Sequence, residues 1–141
     1  MSIFNLLQTG AAGMSAQRRR AEVTTANLAN AETTRTPEGG PYRRRQVVFE
    51  AGRFPRMMSA VAGVQPPAVT IREVVADPTP PELRYEPGHP DADAKGYVAY
   101  PAINPVAEMA DLMGAVRAYQ MNASAVQAGK QMIQQAIDIL R

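Results

Sequence analysis

The chain has 141 residues, 45% of them apolar and 20% charged, which is typical of a globular rather than a disordered protein. A net charge of only +2 gives no general attraction to nucleic acid or membranes, and the absence of cysteine excludes disulfides, thiol catalysis and cysteine-ligated metals. The first residues lack the pattern of a cleaved secretory signal, and no apolar run approaches the length of about 18 residues needed to span a membrane.

The N-terminal segment, residues 1–31, is predicted to form a helix with a weak apolar stripe. Many stripe positions at seven-residue spacing are small or polar, and one of them is Arg18. Gly10 and Gly13 each cost a helix about 1 kcal/mol relative to alanine, so the helix should form only when it is packed against a partner. Small residues also permit close approach, and we expect the C-terminal segment to pair with it, either parallel or antiparallel.

Residues 32–103 are interpreted as a linker followed by a small β-rich insert. A polar, turn-forming run at 32–41 ends the first helix. Four strands are predicted, over 43–50, 69–75, 83–86 and 96–100. Prolines between them are too frequent for central strands, so any sheet is expected to be small and to consist of edge strands.

The C-terminal segment, residues 104–141, is predicted to be one helix about 55 Å long. Asn104 can cap it, Pro105 suits its first position, and Glu108 with Asp111 complements the helix dipole. Two interleaved seven-residue series form a seam that needs a partner of similar length. The seam positions are Met109, Leu112, Val116, Tyr119, Ala123, Val126, Lys130, Ile133, Ile137 and Leu140.

The predicted fold class is therefore α+β, with N- and C-terminal helices pairing as a coiled-coil-like element and a β-rich insert between them. Lys130 is the one charged residue of the C-terminal seam. Either its stem packs while the ammonium reaches water, or it sets the register against a carboxylate.

Two sets of residues suggest ligand binding, and each has a simpler interpretation. His89, Asp91 and Asp93 could bind a divalent metal, but a tight turn is favoured because this is the only histidine and no further ligand group accompanies it. The arginine runs at 18–20 and 43–45 could bind nucleic acid, but an ion-pairing face toward an acidic neighbouring subunit is favoured. In a strand, the middle arginine of the second run would face opposite to its neighbours.

Both ends of the chain carry motifs that resemble the axial proteins of the bacterial flagellum, in particular their proximal-rod branch. The N-terminal match is Asn-Leu-Ala-Asn-Ala at 27–31 and Gly-Pro-Tyr-Arg-Arg at 40–44. The C-terminal match begins with Tyr-Glu-Pro-Gly-His-Pro-Asp-Ala-Asp at 85–93 and continues into Asn-Pro at 104–105 and Lys-Gln-Met-Ile at 130–133. Together the matching stretches cover roughly two thirds of the chain.

The resemblance implies a non-enzymatic structural subunit without cofactors or small-molecule substrate. It also implies export without a cleaved signal peptide through the flagellar type III apparatus, and assembly in the basal-body rod. The implied partners are further copies, other rod proteins and the membrane-embedded ring and adaptor at the rod base. The predicted assembly residues are Asn27, Leu28, Asn30, Leu112, Val116, Arg117, Tyr119, Asn122, Val126, Ile133 and Leu140.

Two other functions compete with this interpretation, a basic nucleic-acid-binding protein and a helix lying on a membrane surface. The C-terminal helix carries several glutamines but only Arg117, Lys130 and Arg141 as cations, which is little charge for binding anionic lipid.

Overall fold

The computed structural model describes residues 3–51 and 69–139. Two long helices, α1 (Ile3–Ala29) and α2 (Pro105–Ile139), frame the insert. They run antiparallel, because Asn27 at the end of α1 bonds to Glu108 at the start of α2, whereas Leu6 near the start of α1 lies against Gly129. The structure thus decides between the two helix arrangements that the sequence left open.

The helix ends follow from local hydrogen bonding. Asn104 caps α2, since its Oδ1 accepts hydrogen bonds from the amides of Val106 and Ala107 at 3.0 and 3.3 Å. At the same end of the helix pair, Asn30 ends α1 by donating from its side chain to the carbonyl of Ala26 at 2.8 Å. The cap predicted from the sequence is confirmed.

The described residues contain four strands, which form two separate antiparallel hairpins. β1 (Arg45–Ala51) pairs with β2 (Val69–Ala76), with an irregularity after Val48. β3 (Glu82–Tyr85) pairs with β4 (Tyr97–Tyr100). Each strand lies within two residues of its predicted bounds, and the α+β prediction is confirmed.

The buried apolar core of the described residues is small. Its members are Ala16, Val23, Val98, Tyr100 and Ala115. Both strands of the first hairpin contact α1, while most of their side chains stay exposed. Burial of apolar surface is the main driving force of folding in most proteins. Because the buried core is small here, the parts of this chain are held together to a greater extent by polar contacts.

Neither helix described here combines the length and the apolar character that crossing a lipid bilayer demands.

Candidate assembly interface

The two helices meet closely because glycines lie at their contact. A Cβ atom placed on Gly13 would lie 2.9 Å from Nδ2 of Asn122, and one placed on Gly10 would overlap Cγ2 of Val126. At the far end, a Cβ atom on Gly129 would lie 2.9 Å from Cδ2 of Leu6. These glycines weaken the isolated helices but allow the backbones to approach, as the sequence suggested for small residues.

The face of α2 that contacts α1 differs in part from the predicted seam. Its buried residues are Glu108, Ala115 and Gly129, which repeat at a spacing of seven or fourteen. One of the two predicted series, that of Met109, Val116 and Lys130, is therefore offset by one residue, whereas the series that contains Leu112 lies on the contact side. The physical reason is that small and polar residues allow the close approach, whereas the count along the sequence followed the larger apolar residues.

The predicted seam residues consequently divide into two groups. Leu112, Val126 and Ile133 are half-buried, on the side of α2 that faces α1. Val116 and Tyr119 are each 42% exposed. Leu140 lies outside the described residues, and Lys130 is exposed, in agreement with the interpretation that its ammonium reaches water.

Large apolar side chains that lie outside the contact face of α2 are open to solvent. Val106, Met109, Met113 and Val116 are between 42% and 74% exposed, and we call them the outer stripe. At 100° per residue their Cβ atoms fall within one sector of the helix. Exposed apolar surface of this kind is typical of sites that bind another protein or a membrane.

The remaining predicted residues are polar apart from Leu28, which is half-buried. Asn122 is half-buried beside Gly13, Asn30 ends α1, and Arg117 is exposed on α2. Unlike these residues, Asn27 is fully buried. It is only 1% exposed, and its side chain bonds to two other parts of the chain.

Asn27 uses its amide group to join α1 to the insert and to α2. Its Oδ1 accepts from the amide of Arg45 at 2.9 Å, and its Nδ2 donates to the carbonyl of the same residue at 2.8 Å. The Nδ2 atom also donates to Oε2 of Glu108 at 3.0 Å, and Tyr42 donates to Oδ1 at 3.2 Å. We call Asn27, Tyr42, Arg44, Glu108 and the main chain of Arg45 the junction.

Glu108 is the buried charge of the junction and was assigned only a helix-dipole role from the sequence. It is 1% exposed, and Nε of Arg44 donates to its Oε1 at 2.6 Å. Burial raises the pKa of Tyr42 above its ordinary value of 10.0; Arg45 acts against this, and Glu108 acts with it. The sequence did single out Arg44, because alternation along a strand predicted that its side chain faces opposite to those of Arg43 and Arg45.

The arginine runs find most of their acidic partners within the chain. Arg18 and Arg19 pair with Glu22 at 3.1 Å, and Arg20 pairs with Asp111 on α2 at 3.0 Å. Arg18 has a side chain 76% exposed, so the expectation that it lies in the helix seam is wrong, by the same offset that affected α2. An acidic neighbouring subunit is not needed to explain these side chains.

The segment around His89 forms a turn between β3 and β4, and a hydrogen bond joins this turn to Thr34 of the linker. Nδ1 of His89 accepts from the amide of Asp91 at 3.1 Å, and Oδ2 of Asp91 accepts from the hydroxyl of Thr34 at 2.9 Å. Oδ1 of Asp93 accepts from the amides of Lys95 and Tyr97, each at 2.8 Å. Within residues 3–51 and 69–139, no group of three His, Cys, Asp or Glu side chains is arranged to hold a metal ion.

Comparison with known proteins finds a family match near each end of the chain. Residues 7–35 match the family described as "Flagella basal body rod protein", and residues 94–139 match "Flagellar basal body rod FlgEFG protein C-terminal". These two segments hold most of α1 and all of α2, and thus both sides of the helix contact.

Full-length similarity is more specific. The chain is 36% identical to the flagellar basal-body rod protein FlgC of Borreliella burgdorferi, over 100% of this chain and 99% of that protein. It is 38% identical to the FlgC protein of Escherichia coli O6:H1, over 94% of each, and 34% identical to that of Bacillus subtilis, over 99% of each. The chain belongs to the FlgC family.

Proteins of the FlgC family are flagellar basal-body rod proteins. This FlgC-family chain is accordingly a structural subunit of the basal-body rod and not an enzyme, as the sequence motifs predicted. Nothing in the comparisons favours a nucleic-acid-binding or membrane-surface protein.

Proposed function

We propose that the chain builds part of the proximal rod, the drive shaft of the flagellum, by polymerising through its two terminal helices. The observation that carries this proposal is the outer stripe, whose apolar side chains remain exposed although α2 is already paired with α1. Burial of one such side chain contributes about 1.5–3 kcal/mol, so covering the stripe with a neighbouring subunit would stabilise an assembly considerably.

The predicted assembly residues take different parts in this proposal. Val116, Arg117 and Tyr119 are exposed, and they would contact the neighbouring subunit directly. Leu112, Val126 and Ile133 would act by keeping α2 paired with α1, and the polar residues Asn27, Asn30 and Asn122 would fix the register within the chain. Leu28 and Leu140 are proposed as further contacts.

The proposed partners are other flagellar rod proteins and further copies of the chain, joined head to tail so that subunits add in a helical array rather than close a ring. At the rod base the chain would meet the membrane-embedded ring and its adaptor. We further propose that it reaches the periplasmic side through the flagellar type III export apparatus without a cleaved signal peptide. The small apolar core supports passage as an unfolded chain that folds after export and gains further burial on assembly.

Replacement of Val116 by Asp tests the assembly role. Because the Val116 side chain is 42% exposed in the folded chain, the variant should keep the helix content of the parent chain by circular dichroism but be at least about tenfold depleted from purified basal bodies. Gln127→Asp is the matched control, since it places the same charge on an exposed polar position of α2. Parental amounts of the Val116→Asp chain in basal bodies, with normal motility, would refute the proposal.

A further inference from the structure

The junction joins three parts of the chain that are distant in sequence. α1 supplies Asn27, the start of the insert supplies Arg44 and the main chain of Arg45, the first residue of β1, and α2 supplies Glu108. Asn27 and Glu108 are each 1% exposed. A hydrogen bond broken here therefore leaves a polar group that water cannot reach unless the parts separate.

The hydrogen-bonding capacity of the junction is filled only when all three parts are present. Both oxygens of Glu108 are engaged, one by Arg44 on the insert side and the other by Asn27 on the α1 side. Asn27 pairs with the main chain of Arg45 through both its oxygen and its nitrogen, as a neighbouring strand would. Removing one part therefore leaves unmatched groups on both of the others.

The charges around Arg44 act in the same direction. Besides Glu108 at 2.6 Å, its guanidinium group lies 3.7 Å from Asp77, the residue after β2, and 3.8 Å from Asp111 on α2. Arg44 is thus the cation that holds three carboxylates from two parts of the molecule near one another. Without it, their mutual repulsion favours separation of the insert from the helices.

We propose that the junction couples the closing of the helix pair to the docking of the insert, so that each event stabilises the other. Asn27, Arg44 and Glu108 are positioning residues in this device. Such coupling is reciprocal: whatever closes the helices must order β1 and β2, and whatever docks the insert must hold the helices closed. The coupling acts within a single chain and does not depend on the proposed assembly.

A disulfide placed far from the junction provides the test. A Cβ atom on Gly10 would lie 3.9 Å from Cβ of Val126, which is within the range of disulfide geometry, and the chain has no cysteine of its own. Changing Val126 to Cys also removes the methyl group that would overlap the new side chain. The pair Gly10→Cys and Val126→Cys lies about 25 Å along α1 from Asn27.

The readout is hydrogen exchange of β1 and β2 amides, measured in the oxidised and reduced forms of the purified chain. The urea concentration is set where the reduced form has lost half of its helix signal. With the junction intact, oxidation should slow exchange in these strands by about tenfold. In the Arg44→Ala background the slowing should fall below about twofold, and in the control background Arg43→Ala, which alters an exposed arginine, it should persist.

A second perturbation gives the same information without cysteines. Gly13→Val should loosen the helix pair and speed exchange in β1, but only in chains that retain Arg44. Equal responses in the Arg44→Ala and Arg43→Ala backgrounds, or no response in the intact chain, would overturn the inference, because the insert would then be ordered independently of the helices.

Discussion

Asn27 and Glu108 lie 81 positions apart in the sequence and are joined by a hydrogen bond of 3.0 Å between Nδ2 and Oε2. The same amide nitrogen donates to the carbonyl of Arg45 at 2.8 Å, so two acceptors from different parts of the chain share one donor group. An asparagine supplies both the donors and the acceptor that this buried position requires.

Replacement of Asn27 by Asp tests that requirement. A carboxylate oxygen in place of Nδ2 would face two acceptors, so we expect Asn27→Asp to lower the free energy of unfolding by about 3–5 kcal/mol at neutral pH. Asn27→Ala, which only leaves partners unpaired, should cost about 1–3 kcal/mol. Urea denaturation followed by circular dichroism measures both. The exposed change Thr25→Ala is the control, and an Asp variant as stable as the Ala variant would contradict the assigned hydrogen bonds.

Two arginines that pair with α2 should differ strongly in their contribution to stability. Arg44→Ala leaves the buried Glu108 carboxylate without its paired cation and should lower the free energy of unfolding by about 3 kcal/mol or more. Arg20→Ala removes a pair with Asp111 whose side chains are 38% and 44% exposed, and should cost about 0–1 kcal/mol. Equal losses for the two variants, measured by urea denaturation, would show that Glu108 is hydrated after all.

Glycine substitutions should have opposite effects on the two helices. Gly10→Ala places a methyl group into Val126 and is expected to destabilise the chain by about 1–3 kcal/mol, despite the better helix propensity of alanine. Gly114→Ala meets nothing within 4 Å and should stabilise it by about 0.5–1 kcal/mol. Thermal unfolding of the two variants should therefore shift in opposite directions. A stabilising Gly10→Ala change would mean that the helices do not approach closely there.

The carboxyl group of Asp77 should titrate below its ordinary pKa of 3.8. Hydrogen bonds from the hydroxyl and the amide of Thr79 are the main causes, and the charge of Arg44 adds to them. A carboxyl group with a pKa lowered by folding stabilises the fold above pH 3.8, and this stabilisation is lost as the pH falls through the lowered value.

Thr79→Val should therefore raise the pKa of Asp77 and reduce the acid sensitivity of the fold, as measured by carbon-13 titration of the carboxyl group and by urea denaturation at several pH values. Thr70→Val is the control, because the Thr70 hydroxyl donates to a main-chain carbonyl instead. An unchanged pKa in the Thr79→Val variant would exclude the hydroxyl as the cause.

The secondary structure was largely predictable from local patterns. Asn104 and Pro105 marked the start of α2, and prolines separated the four short strands, because capping and turn formation depend on neighbouring residues. The helix contact was not predictable in the same way. Counting large apolar residues placed Val116 in the seam, whereas Gly10 and Gly13 determine which face of α2 can come close.

The junction could be predicted only in part. The polar importance of Asn27 came from a family resemblance, and the separate orientation of Arg44 came from strand alternation. That these two residues meet at Glu108 could not be derived, since a buried carboxylate and an exposed helix-dipole residue have the same local sequence pattern.

The sequence by itself determined the two helices, the short strands between them and, through its motifs, membership in a family of rod proteins. These follow from short-range preferences and from residue identity, which the chain carries without being folded. Only the tertiary structure decided that the helices run antiparallel, which face of α2 stays open, and that Asn27, Arg44 and Glu108 share one buried site. Those features depend on the distance between backbones in space, and glycines 10 and 13 set that distance where α1 and α2 meet.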